Sequence, residues 1–188
     1  MELLSYFNQF LSNIEPTANQ KAEASTGHTT LRSRLENDGD FKMAFKDSFL
    51  SGSYGRDTAV RPIKDVDIII VTNYSERLEP NVALSYLKHI LSKYYQNVTI
   101  QHRSIHVVLS YVEMDIVPAI TANDDFLKIP DRAVLNWVLS NPRRHLQLTA
   151  RMNSAKNGLY VPLVKALKCW RDNRMNGSWK PKSFLFEC

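Results

Sequence analysis

Leu3, Leu4, Phe7, Phe10, Leu11 and Ile14 recur at helical spacing, which predicts an amphipathic helix over residues 2–14. Pro16 suits the start of a second helix, because a first turn tolerates a missing N–H. The pattern carries that helix into residues 31–35, although Gly27 weakens its interior. Residues 47–51 predict a short strand ending in the turn-like Gly52-Ser53-Tyr54-Gly55. Residues 65–71 carry the strongest strand signal, β-branched and apolar at the end and opened by two alternating aspartates. Residues 80–95 predict an amphipathic helix with Val82, Leu84, Leu87, Ile90 and Leu91 as its apolar stripe. Three strands follow at 98–102, 105–109 and 112–117. From Pro130 the pattern turns helical, over 132–139, 142–152 and 160–173, and 182–188 reads as a helix that has only begun. Helices, then a mixed sheet, then helices make an α+β arrangement: a small mixed β-sheet flanked by N- and C-terminal helices. The expected division lies at residue 128, with a core over 1–128 and the start of a helical lobe over 129–188.

A chain of 188 residues, 44% hydrophobic, is large enough to bury a core. No apolar run approaches the roughly 20 residues of a membrane span, and the first ten residues lack the basic start of a secretory signal. Cys169 and Cys188 make no disulfide framework and no paired ligand spacing, so a reducing, cytoplasmic setting without membrane association is expected. The net charge of +5 is unevenly spread. Residues 131–188 hold 11 Lys/Arg against 3 Asp/Glu, whereas residues 1–130 hold 13 against 16. The basic third could face phosphates or be an ordinary solvated helical surface.

The chemistry concentrates in Gly52-Ser53, followed by Asp65-Val66-Asp67. Side chains alternate along a strand, so Asp65 and Asp67 project from one face. Neighbouring carboxylates repel unless cations sit between them, and hard oxygen ligands suit Mg²⁺ or Mn²⁺. Upstream, a glycine lets the backbone approach a phosphate closely, and Ser53 adds a hydroxyl. Asp115, between Met114 and Ile116 on a later strand, faces away from both and completes three inward carboxylates. Three such groups could hold two cations about 3.5–4 Å apart, the spacing that activates an attacking hydroxyl and stabilises a leaving oxygen. Each part alone has a plain structural explanation, as a solvated strand end, a turn or a strand edge. Their order and combination are what point to a site.

Gly52-Ser53…Asp65-x-Asp67…Asp115 resembles the signature of the polymerase-β-like nucleotidyltransferase superfamily. More narrowly, the chain is similar to the bacterial second-messenger oligonucleotide or dinucleotide synthetases, relatives of cyclic GMP-AMP synthase and oligoadenylate synthetase. The narrower likeness rests on residues 52–59, 114–119 and 129–132, on Trp137 and Asn141-Pro142, on 163–170, and on Lys182-Ser183-Phe184 with Glu187. It implies a nucleotidyltransferase core and makes Asp65, Asp67 and Asp115 the ligands of two Mg²⁺ or Mn²⁺ ions, the first two bridging both. Gly52 and Ser53 would hold donor phosphates, and Lys168 and Ser183 would contact the triphosphate. For Lys168 the helical pattern agrees, with Leu163, Val164, Leu167 and Trp170 as a buried stripe and Lys165 and Lys168 on another face. Ser183 could equally cap the last helix. The implied partners are nucleoside triphosphates and an activating protein or nucleic acid. The implied products are cyclic di- or oligonucleotides acting as second messengers in antiphage defence.

Two departures from the family pattern stand out. Asp57 stands where many relatives carry glycine, which puts the conformation of that loop in question. Relatives also continue beyond the Lys-Ser-Phe segment into a helical lobe, so residues 1–188 are expected to bind a metal–triphosphate complex without a well-formed acceptor pocket. Two rival readings stay open: an RNA-directed enzyme such as a tRNA CCA-adding nucleotidyltransferase, and an inactive nucleotide-binding fragment. His102 and His106 would share a strand face if the strand ran on unbroken, but they lack accompanying metal ligands at the usual spacing and read as ordinary sheet histidines.

Overall fold

In the computed structural model, residues 2–124, 126–175 and 181–186 are described. The chain opens with α1 (Glu2–Ile14) and α2 (Ala18–Asn37). Thr17, rather than Pro16, starts α2: its hydroxyl accepts from the Gln20 amide while the Gln20 side chain accepts from the Thr17 amide, a complete capping box. Gly27 is needed where it stands, because a Cβ there would lie 2.6 Å from Val112 Cγ1. A larger residue would push α2 off the sheet.

The strands β1 (Phe45–Leu50), β2 (Val66–Thr72), β3 (Val98–Ile100), β4 (Ile105–Val108) and β5 (Glu113–Thr121) form a mixed sheet in the order β1-β2-β5-β4-β3. Among the described strands only β2 and β5 pair in parallel, and α4 (Pro80–Ser92) lies between β2 and β3 in the chain. A short helical turn, α3 (Gly52–Gly55), follows β1 directly. One sheet face, built from Val66, Ile68, Ile70, Ile105, Val107, Met114 and Ile116, packs on Leu31 and Leu35 of α2 and on Leu84, Leu87, Ile90 and Leu91 of α4. The stripe of α4 includes Ala83 in place of Val82, which is exposed. The opposite face has a smaller cluster of Ile69, Val71, Ala119 and Leu127, leaving the beginnings of β2 and β5 open for polar groups.

Residues 132–139 are not a helix. They belong to an antiparallel hairpin of β6 (Leu127–Asp131) and β7 (Asn136–Ser140), and β6 pairs with the end of β5. The apolar run in this segment mimics helical periodicity, but tertiary contacts decide against it. Asp131 accepts from the Ala133 amide to make the turn, Leu135 takes a positive φ of 50°, and Trp137 Nε1 donates to the Leu78 carbonyl at 2.7 Å. The expected division after residue 128 therefore falls inside a strand. Helical structure resumes with α5 (Pro142–Ala155), capped by Asn141, and α6 (Tyr160–Arg174). Residues Ser183–Phe186 form a single 3₁₀ turn. No described helix is long and apolar enough to cross a membrane.

The expected apolar stripe of α6 holds only in part: Val164 is buried and Leu167 half-buried, but the rest of the buried face is different. Leu163 and Trp170 are 54% and 48% exposed, while Val161, Val164, Lys165, Lys168 and Arg171 are buried. The basic residues turn inward because polar partners await them: Lys165 Nζ meets Glu15 Oε2 at 2.7 Å, and Lys168 donates to the Thr58 carbonyl at 2.9 Å. Helical spacing identifies which residues share a face, and it is silent on which face a charged neighbour will claim.

Candidate functional site

Asp67 on β2 and Asp115 on β5 are direct partners in the parallel ladder, so adjacent strands place their side chains side by side on one face. Asp65 precedes β2 and shares that face by the two-residue period. Burial pushes the Asp65 carboxyl above its usual range, and the Asp115 charge pushes it further in the same direction. The sheet thus assembles carboxylates from residues separated by about fifty positions.

Gly52 sits immediately against this group. Its φ is +58°, and a Cβ there would lie 1.6 Å from Asp67 Oδ2 and 2.4 Å from Asp67 Cγ. Glycine is required both by the left-handed backbone and by the approach of the carboxylate. The Ser51 amide donates to the Asp67 carbonyl at 2.8 Å, which ties the turn to β2. Beyond Ser53, the Thr58 amide returns to the Ser53 carbonyl at 2.9 Å, and Lys168 reaches the same segment from α6 through Thr58. Asp57, the residue standing for glycine, has φ +56°: the left-handed conformation is kept, and aspartate is among the few side chains that tolerate it.

A cleft of about 230 Å³ runs along this surface. Its lining includes Gly52, Ser53, Asp65, Asp67 and Lys168, and it adds Arg56, Lys64 and Arg171. The lining sets Asp65, Asp67 and Asp172 beside four basic side chains, of which Lys64 and Arg171 pair with Asp172, and such a mixed lining suits a metal-bound polyphosphate. Lys168 and Arg171 are only 4% and 5% exposed, Lys168 donating to the Thr58 carbonyl and Arg171 pairing with Asp172. The side chain of Ser183 lies outside the described residues. Of the predicted residues, the cleft therefore gathers Gly52, Ser53, Asp65, Asp67 and Lys168, while Asp115 adjoins it through the ladder with Asp67.

The fit to a divalent cation can be judged from the donors. Among the described residues no group of three His, Cys, Asp or Glu side chains is placed to hold a metal ion by itself. The aspartates do bring hard oxygens to one face, and Mg²⁺ characteristically takes one or two carboxylates together with substrate phosphates. The residues fit a cation shared with a triphosphate better than one caged by protein alone.

Arg171 is not marked by sequence, and His106 reads there as an ordinary sheet histidine. Arg171 follows Lys168 by three residues, so once Lys168 turns inward Arg171 must follow. His106 lies opposite Asp115 in the antiparallel β4–β5 ladder, and its Nδ1 is 2.9 Å from Asp115 Oδ1. No periodicity in the sequence shows which strands become neighbours, so this contact had no local signal.

Comparison with known proteins agrees with the geometry. A cyclic AMP-AMP-AMP synthase of Acinetobacter sp. is 37% identical over 191 residues, covering 97% of this chain and 56% of the relative. A cyclic AMP-AMP-GMP synthase of Enterobacter hormaechei is 31% identical over 253 residues, covering 100% of this chain and 66% of that protein. The chain thus spans 56% to 66% of the length of these curated relatives. Among solved structures, CdnG of Bradyrhizobium diazoefficiens in complex with GTP superposes with a TM-score of 0.79 at 16% identity, over 97% of this chain and 68% of that one. E. coli CdnC with ATP gives a TM-score of 0.78 at 20% identity, over 96% of this chain and 62% of that one. At these identities the structural likeness speaks for the fold. The family model of the Second Messenger Oligonucleotide or Dinucleotide Synthetase domain matches residues 1–153, and with the aspartates, the Gly-Ser turn and the fold in agreement, the chain belongs to that family of nucleotidyltransferases.

Proposed function

We propose that this protein transfers a nucleotidyl group from a nucleoside triphosphate to a ribose hydroxyl, releases pyrophosphate, and in this way builds cyclic di- or oligonucleotide second messengers. The observation that carries the reading is the contact of Gly52 with Asp67: a left-handed glycine pressed on a carboxylate, in a cleft whose lining also includes Asp65, Asp172, Arg56, Lys64, Lys168 and Arg171. Family membership supports it, and both curated relatives named above are adenylate-joining synthases.

In this reading the Gly52-Ser53 turn and the basic wall bind the donor phosphates and hold the α-phosphate against Asp65 and Asp67. The acceptor hydroxyl attacks that phosphorus in line as pyrophosphate leaves, and the basic wall offsets the charge that develops on the departing oxygens. Asp65, Asp67 and Asp115 would hold the two Mg²⁺ or Mn²⁺ ions, which supply acidification of the hydroxyl and neutralisation of phosphate charge. Lys168 keeps the turn in place through Thr58 and offers its charge to the outer phosphates. An activating protein or nucleic acid, and a role in antiphage defence, belong to the same reading.

Mass spectrometry of products formed from all four ribonucleoside triphosphates tests it, with residues 1–188 and the longest native form run side by side. Cyclic, adenine-containing products are expected from the longest form. Donor binding by both forms with no oligonucleotide from either, joined to tight RNA binding that falls steeply with salt, would replace this reading with an RNA-directed one.

A further inference from the structure

We propose that His106 is the positioning residue of this site, holding Asp115 in the orientation that a cation–triphosphate complex needs. The inference rests on the nucleotidyltransferase reading above and assigns a residue that the reading does not require.

Three strands place Asp67, Asp115 and His106 in one row. Asp67 on β2 pairs with Asp115 on β5, and Asp115 pairs with His106 on β4. Ile105 and Val107, on either side of His106, are fully buried in the core on the opposite face, so the alternation of β4 sends His106 to the face of the aspartates. Its Nδ1 lies 2.9 Å from Asp115 Oδ1, and its Nε2 lies 3.4 Å from Glu113 Oε2. The imidazole thus lies between two side chains of one strand, and because a carboxylate only accepts, the contact with Asp115 needs the proton on Nδ1.

That contact uses one oxygen of Asp115 and leaves the other for a cation. It also settles a geometric problem of the row. Asp115 stands beside Asp67, and the two like charges favour swinging their carboxylates apart. An N–H donor on the far side fixes the Asp115 rotamer against that tendency. Hydrogen bonds from outer groups to metal-binding carboxylates serve this purpose generally, and losing one weakens metal affinity by roughly 10–100-fold. His102, four residues earlier, is engaged elsewhere, with its Nε2 2.9 Å from Asp131 Oδ1 on the hairpin strand β6. It is the natural control.

The test is Mn²⁺ binding to the full chain in the presence of a non-hydrolysable ATP analogue, followed by electron paramagnetic resonance of the free ion, with thermal unfolding in parallel. His106→Leu keeps bulk and removes the donor; His106→Asn restores an N–H near the Nδ1 position, and His106→Gln offers one near Nε2. Expected is a Kd for Mn²⁺ about 10–100-fold weaker in His106→Leu, recovery to within several-fold in His106→Asn but not in His106→Gln, and no change in His102→Leu. A folded His106→Leu that binds Mn²⁺ like the wild type overturns the proposal. If His106→Leu does not fold, equal Mn²⁺ affinities for the Asn and Gln variants overturn it instead. A wild-type chain that fails to bind Mn²⁺ with the analogue overturns the metal-dependent reading of the site, and this proposal with it; loss confined to the variants separates the two.

Discussion

Gly52→Ala is the substitution in which structure and chemistry are most tightly joined. Two costs can be separated. The backbone at φ +58° penalises any Cβ, by about 1–2 kcal/mol for a left-handed residue. The second cost is local: the new Cβ would stand 1.6 Å from Asp67 Oδ2, 2.4 Å from its Cγ and 2.9 Å from its Cβ. A carboxylate tip can rotate away from such a contact, but the closeness to Cγ and Cβ means that the whole Asp67 side chain must leave its position. Gly158 provides the control, because its φ is +79° and a Cβ added there would have nothing within 4 Å. Gly158→Ala should therefore show the backbone penalty alone, a Tm loss of roughly 2–8 °C at 2–4 °C per kcal/mol for a chain of this size. Gly52→Ala should lose at least as much in Tm. Its turnover should fall by about 10²-fold or more, the scale of a misplacement near 1 Å at a reacting centre. Stopped nucleotidyl-transfer assays, or calorimetry of metal–triphosphate binding where turnover is low, read the second effect; differential scanning calorimetry reads the first. Gly52→Ala that keeps a third of wild-type turnover, or of donor affinity, would refute the claim that this glycine exists to admit the Asp67 carboxylate.

Asp67→Ala should cut turnover by at least tenfold, a loss of more than about 1.4 kcal/mol of transition-state stabilisation, while its Tm stays at or above the wild-type value because a like-charge neighbour of Asp115 is removed; both are read on one purified sample. Lys168→Met, which keeps the buried aliphatic stem, should weaken triphosphate binding more than monophosphate binding by calorimetry, and equal losses would assign Lys168 to holding Thr58 alone. Asp131 gives a pH signature away from the site. Its hydrogen bond from Arg103 holds its carboxyl down to about 2, against a usual value of 3.8, so the stabilisation it brings is full above the unfolded value and is lost as pH falls from about 3.8 through about 2. Asp131→Asn should lower Tm at neutral pH and flatten the decline of Tm across that acid window; an unchanged slope there would mean the pair contributes nothing.

How far the chain could be read from its residues is clearest where local pattern and local chemistry coincide. Residues 65–71 declare a strand by β-branching, and the period of two places Asp65 and Asp67 on one face without further information. The helices over residues 2–14, 80–92 and 142–155 follow from apolar spacing and from Pro80 and Pro142 at their first turns. Gly52-Ser53 was legible as a turn, and Asp115 as an acid too costly to leave in an apolar strand without partners. These are properties of one segment at a time. What required the tertiary structure is each decision made between segments. The pairing of β2 with β5 brings Asp67 beside Asp115, and the pairing of β5 with β4 supplies His106. Residues 132–139 became a hairpin because β5 offered an edge and Leu78 a carbonyl for Trp137, although their spacing suits a helix. The face of α6 was decided by Glu15 and Thr58, which draw Lys165 and Lys168 inward and turn Leu163 and Trp170 out. Periodicity records which side chains travel together on an element; which way the element turns depends on the free energy of satisfying buried polar groups, and those partners lie more than a hundred residues away in the chain.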